Sequence, residues 1–169
     1  QFGLLIGTYR FVRDQERNAS IRYWLASLFS NALGLAIYTI CLIYSDNIAR
    51  PVFGFTISNS LFYFSGLTQT LFCLSLLGAI SKKTKIISYL SLLVFITAFE
   101  LLRQKFGFEA RVLFMIFCGA IYYGLQIIIL RKLCIQFDST QLRFLRGITY
   151  FEFGFDIGRL PIVILASHD

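Results

Sequence analysis

Long apolar runs constrain this chain more than any other feature of its sequence. The hydrocarbon core of a bilayer is roughly 30 Å thick, so a spanning helix needs about 20 mostly apolar residues, and several stretches here reach that length. Runs such as YLSLLVFITAF and IYYGLQIIIL are apolar on every face, whereas barrel strands alternate in polarity over about ten residues. The sequence therefore predicts an all-α, polytopic transmembrane helix bundle.

The predicted bundle has about six helices in a single domain covering residues 1–169. Only two prolines occur and no Pro-rich or Gly/Ser-rich linker divides the chain. The first apolar run, FGLLIG, is too short to span and follows no basic segment, so we interpret it as the tail of a truncated first helix rather than a signal peptide. The predicted helices cover about residues 1–9, 23–44, 51–80, 86–102, 112–130 and 147–166.

The distribution of basic residues predicts the topology. Eleven of them lie in alternate connecting segments: Arg10, Arg13, Arg17, Arg22, Lys82, Lys83, Lys85, Arg131, Lys132, Arg143 and Arg146. The opposite side holds four: Arg50, Arg103, Lys105 and Arg111. By the positive-inside rule the first set faces the cytoplasm, and both ends of the chain face outside. The same rule explains the net charge of +7, so the expected partner is the lipid bilayer and not nucleic acid.

The start of the chain is similar to a known type of membrane region. The stretch LLIGTYRFVRDQERNASIRYWLASLFSNALGLAIY resembles the beginning of the multi-helix N-terminal membrane region of many bacterial diguanylate cyclases, the GGDEF-domain proteins. That pattern has a helix ending in Tyr-Arg, a polar linker, and Arg-x-Trp opening a helix rich in Ala, Gly and Leu. The matching residues are Tyr9, Arg10, Arg22 and Trp24. Further matches are Asn59 and Gly66 in the third predicted helix. Arg143, just before the last predicted helix, and Arg159, within it, match as well.

The resemblance implies a membrane-embedded sensory or input module of the bacterial inner membrane, which regulates a cytoplasmic output such as cyclic di-GMP synthesis. Family members with this layout continue into a further helix and then the cyclase. This chain contains neither, and it has no GG[DE]EF signature, so the resemblance implies the regulatory part of a diguanylate cyclase, as a fragment without the catalytic domain. Besides the bilayer, a second copy of the chain and a GGDEF output domain are candidate partners.

Three charged residues in the last predicted helix are the main candidates for a ligand-binding or switch site. Glu152 and Asp156 are four residues apart, and Asp156 and Arg159 three apart, so all three share one helix face. A charge at mid-bilayer costs about 2.5–3.5 kcal/mol, which predicts that this face turns into the bundle. Glu152 has no obvious partner in its own helix, so it is expected to respond to protons or hold a cationic ligand. The alternative is a structural Asp156–Arg159 pair, with Glu152 at the cytoplasmic headgroups.

Other candidates are weaker. Asn59 and Gln69 are polar residues inside a predicted helix and join the candidate switch residues, although interhelical hydrogen bonding is the favoured role for them. No cofactor, metal site or catalytic residue is expected, because the single histidine, His168, cannot build a metal cluster and no catalytic motif is present. A transporter or channel subunit, with a polar path along the last helix, remains the alternative function.

Overall fold

The computed structural model describes residues 19–44, 53–137 and 139–161, and these form five α-helices. They are α1 (Ala19–Tyr44), α2 (Gly54–Leu77), α3 (Lys82–Lys105), α4 (Phe108–Gln136) and α5 (Thr140–Gly158). The all-α class is therefore confirmed. The predicted count of about six helices is not, and the predicted helix at residues 1–9 lies outside the described residues.

Four of the five described helices, α1 to α4, are long and apolar enough to cross a membrane. They contain between 24 and 29 residues. The fifth, α5, is not among them, since its described part carries four charged side chains: Arg143, Arg146, Glu152 and Asp156. The end of the predicted helix at 147–166 falls beyond the described residues.

Several helices extend into segments that the sequence pattern predicts as loops. α3 begins at Lys82, and the backbone N–H of Thr84 donates to the Ser81 hydroxyl at 3.0 Å, which satisfies a donor that the first helical turn leaves open. α4 has 29 residues and is therefore about 43 Å long, more than the roughly 30 Å of a hydrocarbon core. Lys and Arg are good helix formers, so the helices continue through their basic ends.

α2 is shorter than predicted at both ends. It stops at Leu77, and Gly78 follows with a φ of 153°. Side chains rarely adopt that backbone conformation, whereas glycine enters it without steric penalty. The turn to α3 therefore depends on the glycine.

The structure divides into two compact units, Gln1–Glu100 and Leu101–Asp169, with the boundary inside α3. The first contains α1, α2 and most of α3, and the second contains the end of α3 together with α4 and α5. That the chain forms a single domain stays a prediction.

Small polar side chains hold α1 against α2 in the first unit. The Ser65 hydroxyl donates to the backbone carbonyl of Ser27 at 2.9 Å, and the two hydroxyl oxygens are 3.0 Å apart. Gly34 permits close approach nearby, because a Cβ at that position would lie 3.1 Å from the ring of Phe62. Close backbone approach at small residues and interhelical hydrogen bonds are the usual means of helix association in membranes.

α3 contacts α2 through one aromatic pair and one polar pair. The rings of Tyr63 and Phe95 are stacked with centroids 4.0 Å apart. Nearer the end of α3, the Thr56 hydroxyl donates to the Glu100 carboxylate at 2.7 Å. Because Thr56 is only 1% exposed, this hydrogen bond ties the start of α2 to α3 away from solvent.

The packing of the described residues differs from that of a soluble protein. Ser27, Ser65 and Thr56 are buried, while large apolar side chains such as Ile43 and Val94 are 70% and 67% exposed. Exposed apolar surface of this kind needs a covering, which a lipid bilayer would provide. The arrangement agrees with the four spans and indicates a membrane protein.

The predicted topology can be tested at the helix connections. In a variant whose four native cysteines are replaced by serine, Ser81→Cys and Gln136→Cys should react with a membrane-impermeant thiol reagent from one side. Phe106→Cys should react from the other, because α3 and α4 each cross once. Labelling of all three from the same side would contradict the topology.

Candidate functional site

α5 has two faces of opposite character. The partly or fully buried face includes Leu145, Thr149, Glu152 and Asp156, which follow one another at helical spacing. Thr149 is fully buried. The exposed face includes the large apolar side chains of Phe144, Ile148, Phe151 and Phe155. The carboxylates of α5 thus lie on its packed side and the phenylalanines on its outer side.

The packed side of α5 meets α4 at a glycine. A Cβ at Gly119 would overlap the Oδ2 atom of Asp156, so the carboxylate rests directly on the α4 backbone. Asp156 also interacts electrostatically with Cys118, and both Glu152 and Asp156 interact with Tyr123. We call these five residues the carboxylate site.

The carboxylate site leaves acceptor atoms without a protein donor. Oε2 of Glu152 and Oδ2 of Asp156 are buried and accept no hydrogen bond from the described part of the chain. The other Asp156 oxygen, Oδ1, is 3.9 Å from Nη1 of Arg159, whose side chain is 48% exposed. An ion pair this long and this accessible contributes little, whereas a buried acceptor without a donor is costly. Oxygen atoms without a donor have the chemistry to accept a proton or to bind a cationic group.

The structure brings some of the predicted site residues together and leaves others elsewhere. Glu152 and Asp156 share the packed face of α5, and Arg159 follows the helix end, half exposed. Asn59 and Gln69 belong to α2, in the first unit. The Asn59 amide donates to the Phe55 carbonyl of its own helix at 2.7 Å, which suits a structural role better than a switch.

Two features of the carboxylate site are not predicted by the sequence. One is the contact between Gly119 and Asp156, and the other is the electrostatic interaction of Tyr123 with both carboxylates. Glycine within an apolar helix is a general signal for close packing. No signal in the sequence, however, indicates which residue of another helix fills the space above it.

The fold and the site together define a class: a helical membrane protein with a polar site between two helices of one unit. No protein-family model, curated protein or solved structure matches the chain.

Proposed function

We propose that this chain is a sensory input module of a bacterial inner membrane, which regulates a cytoplasmic output such as cyclic di-GMP synthesis. The observation that supports the proposal is the carboxylate site. Two acidic side chains lie one helical turn apart on the packed face of α5, with buried oxygens that accept no hydrogen bond from the described residues. A site whose buried oxygens lack donors until a proton or cation binds is suited to detecting that proton or cation.

The site can convert binding into helix movement. Two ionised carboxylates one turn apart repel each other, and a proton or a cationic ligand removes that repulsion. Because Asp156 rests on the backbone at Gly119, a change in its charge or hydrogen bonding acts directly on the contact between α5 and α4. A bias of about 1.4 kcal/mol between two packings changes their ratio about tenfold. The movement would pass to the chain that follows α5.

The type of output is inferred from the resemblance in the first part of the chain. The residues that carry it are Tyr9, Arg10, Arg22 and Trp24. Proteins with that membrane region continue through a further helix into a GGDEF domain, so a GGDEF domain is the proposed output partner. A second copy of the chain is the other proposed partner.

A transporter or channel subunit is the second candidate. The polar stripe of Thr149, Glu152 and Asp156 along α5 favours it. Transporters, however, tend to have interrupted helices in corresponding positions of two halves. Here the combination of glycines and a proline, at Gly154, Gly158 and Pro161, is confined to the last predicted helix. This disfavours a transporter or channel.

The decisive experiment measures cyclic di-GMP in cells that express the full-length gene product. Glu152→Gln and Asp156→Asn should change the cyclic di-GMP level and flatten its dependence on external pH between about pH 5 and pH 8, because neither amide can ionise. Glu109→Gln is the matched control, since Glu109 lies in the first turn of α4, away from the carboxylate site.

The outcomes separate the two candidates. Unchanged cyclic di-GMP in both α5 variants, with normal amounts of folded protein in the membrane, would refute the sensory proposal. Loss of cation uptake by reconstituted vesicles in the same variants would instead favour transport. The DNA downstream of this chain should encode a further helix and a GGDEF domain.

A further inference from the structure

A basic cluster surrounds the turn between α4 and α5, and one of its members is held by an aromatic residue. Nε of Arg131 donates to the Tyr150 hydroxyl at 2.8 Å, and the guanidinium carbon lies 5.9 Å from the centre of the Tyr150 ring. The hydrogen bond joins the end of α4 to α5. It engages Nε, so the two terminal nitrogens of the guanidinium are not used in this contact.

Three more basic residues share this turn. Arg143 and Arg146 lie seven and four residues before Tyr150, so all three occupy one face of α5. Lys132 is exposed next to Arg131. The open backbone at Gly147 adds room between them, because a Cβ there would meet nothing within 4 Å. We call Arg131, Lys132, Arg143, Arg146 and Tyr150 the basic corner.

The charge of this segment is one-sided. Between residues 131 and 146 the sequence holds four basic side chains and a single acidic one, Asp138, which falls between the described ranges. The segment therefore attracts anions.

Large apolar side chains accompany the charges. Ile135, Phe137 and Phe144 lie in the same segment and are 87%, 48% and 71% exposed. Cationic residues mixed with exposed Phe and Ile are typical of a surface at the boundary between headgroups and acyl chains. A free phosphate would use the charges alone and leave these side chains in water.

We propose that the basic corner binds the phosphate headgroup of an anionic phospholipid, with the exposed apolar side chains against its acyl chains. An arginine recognises phosphate through two parallel N–H donors, and Tyr150 orients the Arg131 guanidinium for that contact. α4 is longer than the hydrocarbon core, so its basic end reaches headgroup level. Lipid binding at the basic corner does not depend on the carboxylate site or on a signalling output.

Native mass spectrometry of the full chain in detergent micelles, titrated with phosphatidylglycerol or with phosphatidylcholine, tests the proposal. The wild-type chain should retain phosphatidylglycerol preferentially. Arg131→Gln should weaken that retention by about tenfold or more, since tenfold is the smallest loss expected when a hydrogen bond to a charged group is removed. Arg131→Lys should weaken phosphatidylglycerol retention as well. Lysine keeps the positive charge, but it lacks the paired donors of the guanidinium.

Two further variants keep the result interpretable. Tyr150→Phe keeps the ring and removes the hydroxyl, so it should weaken phosphatidylglycerol binding less than Arg131→Gln does. Lys105→Gln removes an exposed positive charge at the far end of α3 and should leave binding unchanged. If Arg131→Gln does not fold, Lys132→Gln should show the same direction of change.

Three results would overturn the proposal. One is equal retention of phosphatidylcholine and phosphatidylglycerol. Another is an equal loss of lipid in Lys105→Gln and Arg131→Gln. The last is full displacement of phosphatidylglycerol by inorganic phosphate or by a short oligonucleotide, which would indicate a site for free anions.

Discussion

Gly119→Leu should destabilise the chain by about 1–3 kcal/mol, the usual range for forcing extra methylenes into a packed contact. A Cβ at this position already overlaps the Asp156 carboxylate, and the remaining leucine atoms have to push α5 away from α4. Leucine is a better helix former than glycine by nearly 1 kcal/mol, so a net loss of stability would come from the contact between the helices. Unfolding of the purified protein by a denaturing detergent measures the effect.

The control for this prediction lies in the same helix. Gly124→Leu makes the identical change at a position where a Cβ would meet nothing within 4 Å, so the gain in helix propensity should appear there without the clash. The clash at Gly119 should also disappear when its partner is shortened: Gly119→Ala should be less harmful in an Asp156→Ala background than in the wild type. Equal stability of Gly119→Leu and Gly124→Leu would show that α4 and α5 do not pack as described.

Thr56→Val should destabilise the first unit by about 1–2 kcal/mol, between the 1.5–3 kcal/mol of a hydrogen bond to a charged group and the 0.6 kcal/mol average between membrane helices. Valine has the shape of threonine and lacks the hydroxyl that donates to Glu100 at 2.7 Å. Thr56 is almost fully buried, so water cannot easily replace the lost donor. Detergent-induced unfolding again provides the measurement.

Thr97→Val is the matched control for Thr56→Val. Its hydroxyl is exposed and donates to the Leu93 carbonyl of its own helix at 3.0 Å, so the same chemical change breaks no contact between helices. Thr97→Val should therefore change stability by less than about 0.5 kcal/mol. A similar loss in both variants would mean that the Thr56–Glu100 bond does not hold α2 to α3.

The two proposed sites lie on the same helix. On α5 the basic corner extends from Arg143 to Tyr150, and Asp156 follows Tyr150 by six residues, about 9 Å along the axis. If a lipid headgroup holds the start of α5, binding at the carboxylate site would move the far end of the helix more than its start. The proposed signal would therefore be transmitted through the segment after Gly158.

The helical class and the main spans follow from the sequence alone. Apolar runs such as YLSLLVFITAF can satisfy their backbone hydrogen bonds in lipid only as helices, and α1 to α4 are the result. The spacing of Glu152 and Asp156 was equally sufficient to place both carboxylates on one face of α5, because helical periodicity is local.

The tertiary structure alone decided which faces meet. A run that is apolar all round carries little rotational signal, so no pattern in α4 shows that Gly119 faces Asp156 or that Tyr123 interacts electrostatically with both carboxylates. The pairing of Ser27 with Ser65 and of Thr56 with Glu100 likewise depends on the register of two helices. Secondary structure is set by neighbours along the chain, whereas register is set by contacts between residues far apart in it, and those contacts build the carboxylate site.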